Sequence, residues 1–188
     1  MNSDSTPTTY PLTPIQLLIW GAELILANHL THLCCIVRWN GAWEPELFNL
    51  AIQQILKDND GLRLRMVLAE GGDRFGGEVR QYVTPYRETA ISSLDFSYPG
   101  GEADFQQWAA RETGNHFELL DRDLYCFTAI RLGPRKNGLF IRINHLITDG
   151  WSITLIYNQF FRHLRSLENG ETLAGFEPRP PSFVEYVI

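Results

Sequence analysis

The sequence lacks the features that mark membrane, secreted and nucleic-acid-binding proteins. No apolar stretch in its 188 residues approaches the roughly 18 residues that a membrane helix requires, and residues 1–9 lack the basic start and apolar run of a signal peptide. A formal net charge of −6 without a basic run also excludes the electrostatic pattern typical of nucleic-acid binding. We therefore expect a cytoplasmic protein that interacts with neither nucleic acid nor membrane.

Cysteine is scarce, and its arrangement argues against both disulfides and metal binding. The three cysteines form an odd set, and Cys34 and Cys35 are adjacent within an apolar stretch. Together with Cys126 they are typical of buried small hydrophobic residues in a reducing compartment. His29 and His32 lie three residues apart, but no matching pair of ligands follows at zinc-site spacing. We therefore expect no metal centre.

Phosphate-binding loops are also missing from the sequence. The glycine pairs Gly71-Gly72 and Gly76-Gly77 occur without a Gly-Lys-Ser/Thr ending and without a Gly-x-Gly-x-x-Gly pattern, so they predict turns between strands. No internal repeat or low-complexity segment is present. With 44% hydrophobic and 20% charged residues, the composition is ordinary for a globular domain with one substantial core.

The periodicity of apolar residues predicts an alternation of helices and strands. Two helix starts are marked by Thr13-Pro14 and Glu44-Pro45, because proline suits the first position of a helix. The predicted elements are a helix from Pro14 through Ile25, a strand at 31–40, a helix from Pro45 through Leu56, strands at 62–68 and 78–84, a helix at 103–116, strands at 125–132 and 138–145, and a final helix through Leu167. This order predicts a mixed α/β fold with helices packed around one sheet.

The segment 143–152 contains a His-x-x-x-Asp-Gly motif, formed by His145, Asp149 and Gly150. It follows a strand whose alternation directs His145 to the apolar side and its neighbour Asn144 to the opposite side. Asp149 stands where a helix N-cap is expected, because helical spacing begins directly after it. The motif is therefore predicted to occupy a strand-to-helix loop.

Two interpretations of this loop remain open from the residues alone. In the first, His145 is a buried histidine with one hydrogen bond, Asp149 caps a helix and Gly150 permits a turn. In the second, His145 is a general base at the mouth of a cleft, and Asp149 shapes the loop by pairing with an arginine. A neutral imidazole can accept a proton from an amine or a hydroxyl near physiological pH.

Four segments carry a resemblance to the N-terminal half of the condensation domain of nonribosomal peptide synthetases, in the chloramphenicol-acetyltransferase-like superfamily. They occur in the family's order and resemble Leu-Ser/Thr-x-x-Gln, Glu-x-Leu-Arg, His-His-x-x-x-Asp-Gly-x-Ser and Tyr-x-Asp-Tyr. The segments are Leu12–Gln16, Asp60–Arg63, Asn144–Ser152 and Ser182–Tyr186. The stretch His116–Leu119 is similar to the family's Pro-Phe-Asp-Leu. The resemblance implies an α/β fold with a mixed sheet packed with helices.

The resemblance also implies roles for individual residues. His145 matches the catalytically central histidine, Asp149 matches a structural aspartate, and Arg63 matches the arginine that pairs with it. Gly150 is expected to let the backbone approach the substrate closely, and its amide is a candidate donor to an oxyanion. We expect the neighbouring Trp151 to pack in the core.

Two departures from the family pattern affect what is expected. Asn144 replaces the first histidine of the pair and cannot take a proton, so we assign it a structural role. The resemblance divides the chain into a polar leader at 1–10 and an N-terminal lobe at 11–188, whereas the family continues through a second lobe. We therefore expect the lobe alone to be inactive, and an apolar face to be exposed where the second lobe belongs.

The reaction implied by the resemblance is amide formation between an acyl thioester and the amine of a carrier-bound amino acid. It requires no bound cofactor or metal, because the substrates arrive on the 4′-phosphopantetheine of carrier proteins or as acyl-coenzyme A. With about ten residues before the first motif, we expect a starter domain that acylates the first amino acid. The alternatives are another coenzyme A-dependent His-x-x-x-Asp-Gly acyltransferase, and a noncatalytic or degenerate module that docks a carrier.

Overall fold

The computed structural model describes residues 7–26, 31–69, 71–72, 77–173 and 181–187. The helices are α1 (Pro14–Leu26), α2 (Pro45–Asp58), α3 (Gly101–Gly114), α4 (Gly150–Glu168) and α5 (Phe183–Val187), with a short 3₁₀ helix at Asp60–Arg63. The strands are β1 (Tyr10–Pro11), β2 (His32–Asn40), β3 (Leu64–Leu68), β4 (Val79–Val83), β5 (Ser92–Asp95), β6 (Tyr125–Gly133) and β7 (Lys136–Asn144). The order of predicted helices and longer strands is confirmed.

The larger sheet has the strand order β2-β7-β6-β5. β7 pairs antiparallel with both β2 and β6, whereas β5 pairs parallel with β6, so the sheet is mixed, as predicted. One face of this sheet packs against α2 and α4 to form the main core. Buried residues of that core include Ile52 and Ile55 of α2, Ile141 and Ile143 of β7, and Phe160 of α4.

The opposite face of the larger sheet packs against α3. Phe105 of α3 is buried against Phe140 of β7, and the ring of Trp108 lies edge-on to Phe140 with ring centroids 5.0 Å apart. Arg142 lies over the ring of Phe117 at 4.3 Å and donates to a backbone carbonyl. Successive residues of β7 therefore point to opposite faces, which confirms the alternation expected for the strand that leads to the motif.

The sequence predicted one sheet, but the structure has two. β1, β4 and β3 form a separate three-stranded antiparallel sheet, and its core packs against α1 through Leu64, Met66 and Trp20. β1 has only two residues and β5 is the largely exposed sequence Ser-Ser-Leu-Asp, so neither strand gives a period-two apolar signal. Apolar periodicity also predicts where strands occur but not which strands pair, so it could not separate the two sheets.

Local capping explains where α1 begins. The Gln16 backbone N–H donates to Thr13 Oγ1, and the Thr13 N–H donates to Gln16 Oε1, which is a reciprocal capping box.

Cys34, Cys35 and Cys126 are free and partly buried, and burial raises the pKa of Cys34 and Cys35.

Within the residues that the structure describes, none of the helices combines the length and the hydropathy that a membrane span requires. Gly71 has a φ of 76°, as expected for a glycine in a turn, whereas Gly76 lies outside the described residues.

Candidate functional site

His145 is the first residue of the loop between β7 and α4. β7 ends at Asn144, so His145 stands one residue beyond the predicted position at the strand end. Its ring is partly exposed, and Nδ1 lies 3.2 Å from the carbonyl oxygen of Thr148. Because a carbonyl only accepts hydrogen bonds, this contact requires the proton on Nδ1 and leaves the Nε2 lone pair free. The geometry therefore suits His145 to act as a base through Nε2.

Asp149 caps α4, as the sequence predicted. Its Oδ1 accepts hydrogen bonds from the backbone N–H and the hydroxyl of Ser152, both at 2.7 Å. These bonds, with a smaller contribution from His145, hold the pKa of the Asp149 carboxyl below its usual value. A carboxylate stabilised in this way is a poor proton acceptor, which leaves His145 as the better base of the pair.

The expected pair between Asp149 and Arg63 is not formed, and this corrects the role assigned to Arg63. The guanidinium Nη1 donates to the carbonyls of Leu56 and Lys57, the latter at 2.9 Å, and Nε donates to the carbonyl of Thr84 at 3.1 Å. Leu56 and Lys57 belong to the last turn of α2, whose carbonyls lack intrahelical partners. Arg63 therefore closes the C-terminal end of α2 and connects it to Thr84, directly after β4.

These contacts predict independent effects of the two residues on stability. D149A should lower the free energy of unfolding by about 1 kcal/mol through loss of the cap, whereas D149N should stay close to wild type. R63A should cost about 2 kcal/mol through the lost charged hydrogen bonds. Urea unfolding of the chain with R63A/D149A should give the sum of the single effects within about 0.5 kcal/mol. A larger coupling would show that the two side chains interact.

Lowering the pH should also weaken the contribution of Asp149. Its pKa is lower in the folded chain than in the unfolded chain, so its stabilisation is present above the unfolded pKa of about 3.9. The stabilisation is lost as the pH falls through the folded pKa. D149N does not titrate and is close to wild type at neutral pH, so wild type should become less stable than D149N in acid.

Asn144 is buried, with 1% of its surface exposed. Its Nδ2 donates to Oε1 of Glu23 on α1 at 2.9 Å, and its Oδ1 accepts from the Leu146 backbone N–H at 2.8 Å. The structural role expected for Asn144 is consistent with these bonds. Sequence reasoning missed Glu23, because it lies 121 residues away within an apolar helix and belongs to no motif.

The first motif reaches the same loop through Gln16. Its Nε2 donates to the carbonyl of Leu146 at 2.9 Å and to Oε1 of Gln81 at 2.7 Å. The Gln81 amide in turn donates to the Pro11 carbonyl and to Gln16. Both glutamines are buried, so this network fixes the loop after His145 to α1 and to the smaller sheet.

The second and fourth motifs meet at one end of a groove beside the loop. Asp60 accepts hydrogen bonds from the Ser182 hydroxyl and from the Phe183 backbone N–H. The groove has a volume of about 490 Å³ and runs between the 3₁₀ helix, α4 and α5. Ile147 and Thr148 of the loop contribute to its wall, so the groove adjoins the segment that carries His145.

Trp151 does not pack in the core, contrary to the expectation from its helical spacing. Its surface is 70% exposed, and Leu155, one turn further along α4, is 45% exposed. On α5, Tyr186 is 79% exposed. Apolar side chains are therefore exposed on α4 and α5 beside the groove.

Gly150 begins α4 without any local packing reason for glycine. A Cβ built at this position would meet no atom within 4 Å outside the adjoining backbone, and its φ lies outside the left-handed region. Gly150 is the first residue of the helix, so its N–H has no intrahelical acceptor.

Among the described residues, His, Cys, Asp and Glu side chains do not gather in groups of three or more that could hold a metal.

Comparison with known proteins gives a consistent set of matches. The family model of the condensation domain matches residues 6–187. Surfactin synthase subunit 1 of Bacillus subtilis (strain 168) is 30% identical over 186 residues, which is 96% of this chain and 5% of that protein. The dimodular nonribosomal peptide synthase of the same strain is 24% identical over 171 residues, which is 90% of this chain and 7% of that protein.

Solved structures match the fold over nearly the whole chain. The starter condensation domain of rhizomide synthetase superposes with a TM-score of 0.84 at 22% identity, over 96% of this chain and 42% of that chain. The first condensation domain of the calcium-dependent antibiotic synthetase gives a TM-score of 0.78 at 19% identity, over 90% of this chain and 40% of that chain. The chain therefore spans less than half of these solved domains.

Proposed function

The chain belongs to the condensation-domain family, and on that premise we propose that it is the histidine-bearing N-terminal lobe of an amide-forming domain. The observation that carries this proposal is the hydrogen bond from His145 Nδ1 to the Thr148 carbonyl, which leaves Nε2 free to accept a proton. The residues assigned to the site are His145 as the base, Gly150 as a backbone donor, and Asn144 and Asp149 as structural residues, whereas Arg63 has a structural role at the end of α2.

In the proposed reaction an amine attacks the carbonyl carbon of an acyl thioester. The C–N bond forms, the amine proton passes to Nε2 of His145, and the negative charge develops on the carbonyl oxygen. The Gly150 N–H is the proposed donor to that oxygen, because it starts α4 and lacks an intrahelical partner. The C–S bond then breaks, the thiolate takes up the proton held on Nε2 of His145, and the amide is released.

The proposed substrates are thioesters delivered by other molecules. The acceptor amine is carried on the 4′-phosphopantetheine arm of a carrier protein, as the homologous synthetases suggest. A mutant of the starter condensation domain of rhizomide synthetase has been solved in complex with C8-CoA, so we propose acyl-coenzyme A as the donor and a starter role for this domain. We propose the cytoplasm as the compartment, because the three cysteines are free thiols.

The proposal includes a second lobe that this chain does not contain. The exposed side chains of Trp151 and Leu155 on α4 and of Tyr186 on α5 are the proposed contact with it. Half a cleft cannot enclose and orient two substrates, so we expect no turnover by this lobe alone. The domain that includes both lobes is called the parent domain below.

The test compares donors and separates catalysis from binding. The parent domain is incubated with an aminoacyl carrier and either an acyl-coenzyme A or an acyl carrier, and product is followed by mass spectrometry. Amide formed from acyl-coenzyme A supports the starter role, whereas amide formed only from the acyl carrier supports a condensation domain of another subtype. Carrier binding without amide from either donor would favour the noncatalytic docking module.

A further inference from the structure

Glu23 of α1 connects Thr31, directly before β2, to Asn144 at the end of β7. Its Oε1 accepts a hydrogen bond from the Thr31 hydroxyl and one from Asn144 Nδ2, the second at 2.9 Å. Thr31 is 7% exposed and Asn144 is 1% exposed, so both donors are shielded from water. Breaking either bond would leave a buried polar group unpaired, which makes the geometry of this junction restrictive.

The same two residues hold the backbone of His145. The Thr31 carbonyl accepts from the His145 N–H at 2.7 Å, and the Asn144 side chain accepts from the N–H of Leu146 at 2.8 Å. The N–H groups of His145 and Leu146 belong to the peptide units on the two sides of the His145 Cα. Both therefore donate to residues that Glu23 binds. Because the imidazole extends from this Cα, a displacement of the junction would move Nε2.

We infer that Glu23 is a positioning residue for His145, acting through Asn144 and Thr31. The inference rests on the proposed function, because it concerns the placement of the proposed base. It also gives a reason for asparagine at position 144. An amide donates to Glu23 and accepts from Leu146 at the same time, whereas a carboxylate at this position would only accept.

The test, made in the parent domain, exchanges the hydrogen-bond donor at position 144 with the acceptor at position 23. N144D places two carboxylates against each other and should lower kcat about 100-fold, the effect of displacing a catalytic group by about 1 Å. KM should change little, because the substrate contacts are elsewhere. In E23Q/N144D the introduced amide can donate to both the Thr31 hydroxyl and the introduced carboxylate, so kcat should recover to within about threefold of wild type.

Glu118 supplies a matched control for the change of charge. Glu118 and Glu23 line the same cavity, but Glu118 is exposed and pairs with Arg122. E118Q/N144D should therefore remain as slow as N144D. Equal rescue by E118Q, or no rescue by E23Q, would overturn the inference. Thermal unfolding of each variant normalises the rate to the folded fraction, so that a purely structural effect of N144D does not count as support.

A second measurement decides the inference without reference to catalysis. Amide hydrogen exchange at His145 and Leu146 should be about tenfold or more faster in N144D and return toward wild type in E23Q/N144D. Unchanged exchange in N144D would overturn the inference. If the wild-type parent domain forms no amide while exchange follows this pattern, the proposed function fails and the positioning of His145 by Glu23 stands.

Discussion

In the parent domain, H145A should lower the rate of amide formation by about 10²- to 10⁴-fold, the range that a positioned general base contributes. The effect should fall on kcat, because the groove adjoins the loop but is not lined by the His145 side chain. H145N should be similarly slow, since an amide can occupy the space of the ring but cannot accept a proton at neutral pH. Steady-state kinetics with acyl-coenzyme A and an aminoacyl carrier measure both constants.

Two controls apply to this prediction: a variant at a second histidine, and a measurement of the stability of H145A. H116A changes an exposed histidine outside the loop and should retain wild-type turnover. The unfolding midpoint of H145A should match that of wild type, because the ring is partly exposed and contacts the loop through one hydrogen bond. Turnover of H145A within a few-fold of wild type would assign the base to another group.

The second large effect is expected at Gly150. G150L should lower amide formation about 100-fold, the effect of losing one oxyanion donor, because the side chain would cover the approach to the backbone N–H. The same change should leave stability within about 0.5 kcal/mol of wild type, since a Cβ at Gly150 meets no atom within 4 Å in this lobe. Activity and urea unfolding of the parent domain measure the two effects.

Gly114 offers a matched control for the Gly150 prediction. It is also a terminal residue of a helix, α3, and a Cβ at this position likewise meets no atom within 4 Å. G114L should therefore retain both stability and activity. If G150L is as active as G114L, glycine at position 150 does not serve the approach of a substrate.

Sequence reasoning succeeded where a signal is local and repeated. Nine-residue strands such as β7 and the 19-residue α4 carry many periods of the apolar pattern, so their existence and type could be predicted. The cap at Asp149 could also be predicted, because an N-cap depends on a side chain and on the helix that follows it. The short strands β1 and β5 carry too few periods to be recognised.

The misassignments at the site have a different physical origin. Helical spacing shows that Trp151 and Leu155 share a face of α4, but it cannot distinguish a face that is buried within the lobe from one that is exposed on it. The partners of Arg63 are backbone carbonyls, which every residue possesses and which leave no trace in the sequence. The bond between Glu23 and Asn144 depends on how α1 packs, so only the tertiary structure reveals it.

The central claim is that the proton of neutral His145 lies on Nδ1 and leaves Nε2 as a base. The most direct measurement is the ¹⁵N spectrum of the neutral imidazole in the parent domain labelled at histidine, assigned by comparison with H145A. The account predicts a protonated Nδ1 and an unprotonated Nε2 for His145. A protonated Nε2 with a bare Nδ1 would contradict it, because the Thr148 carbonyl could not then be the partner of Nδ1.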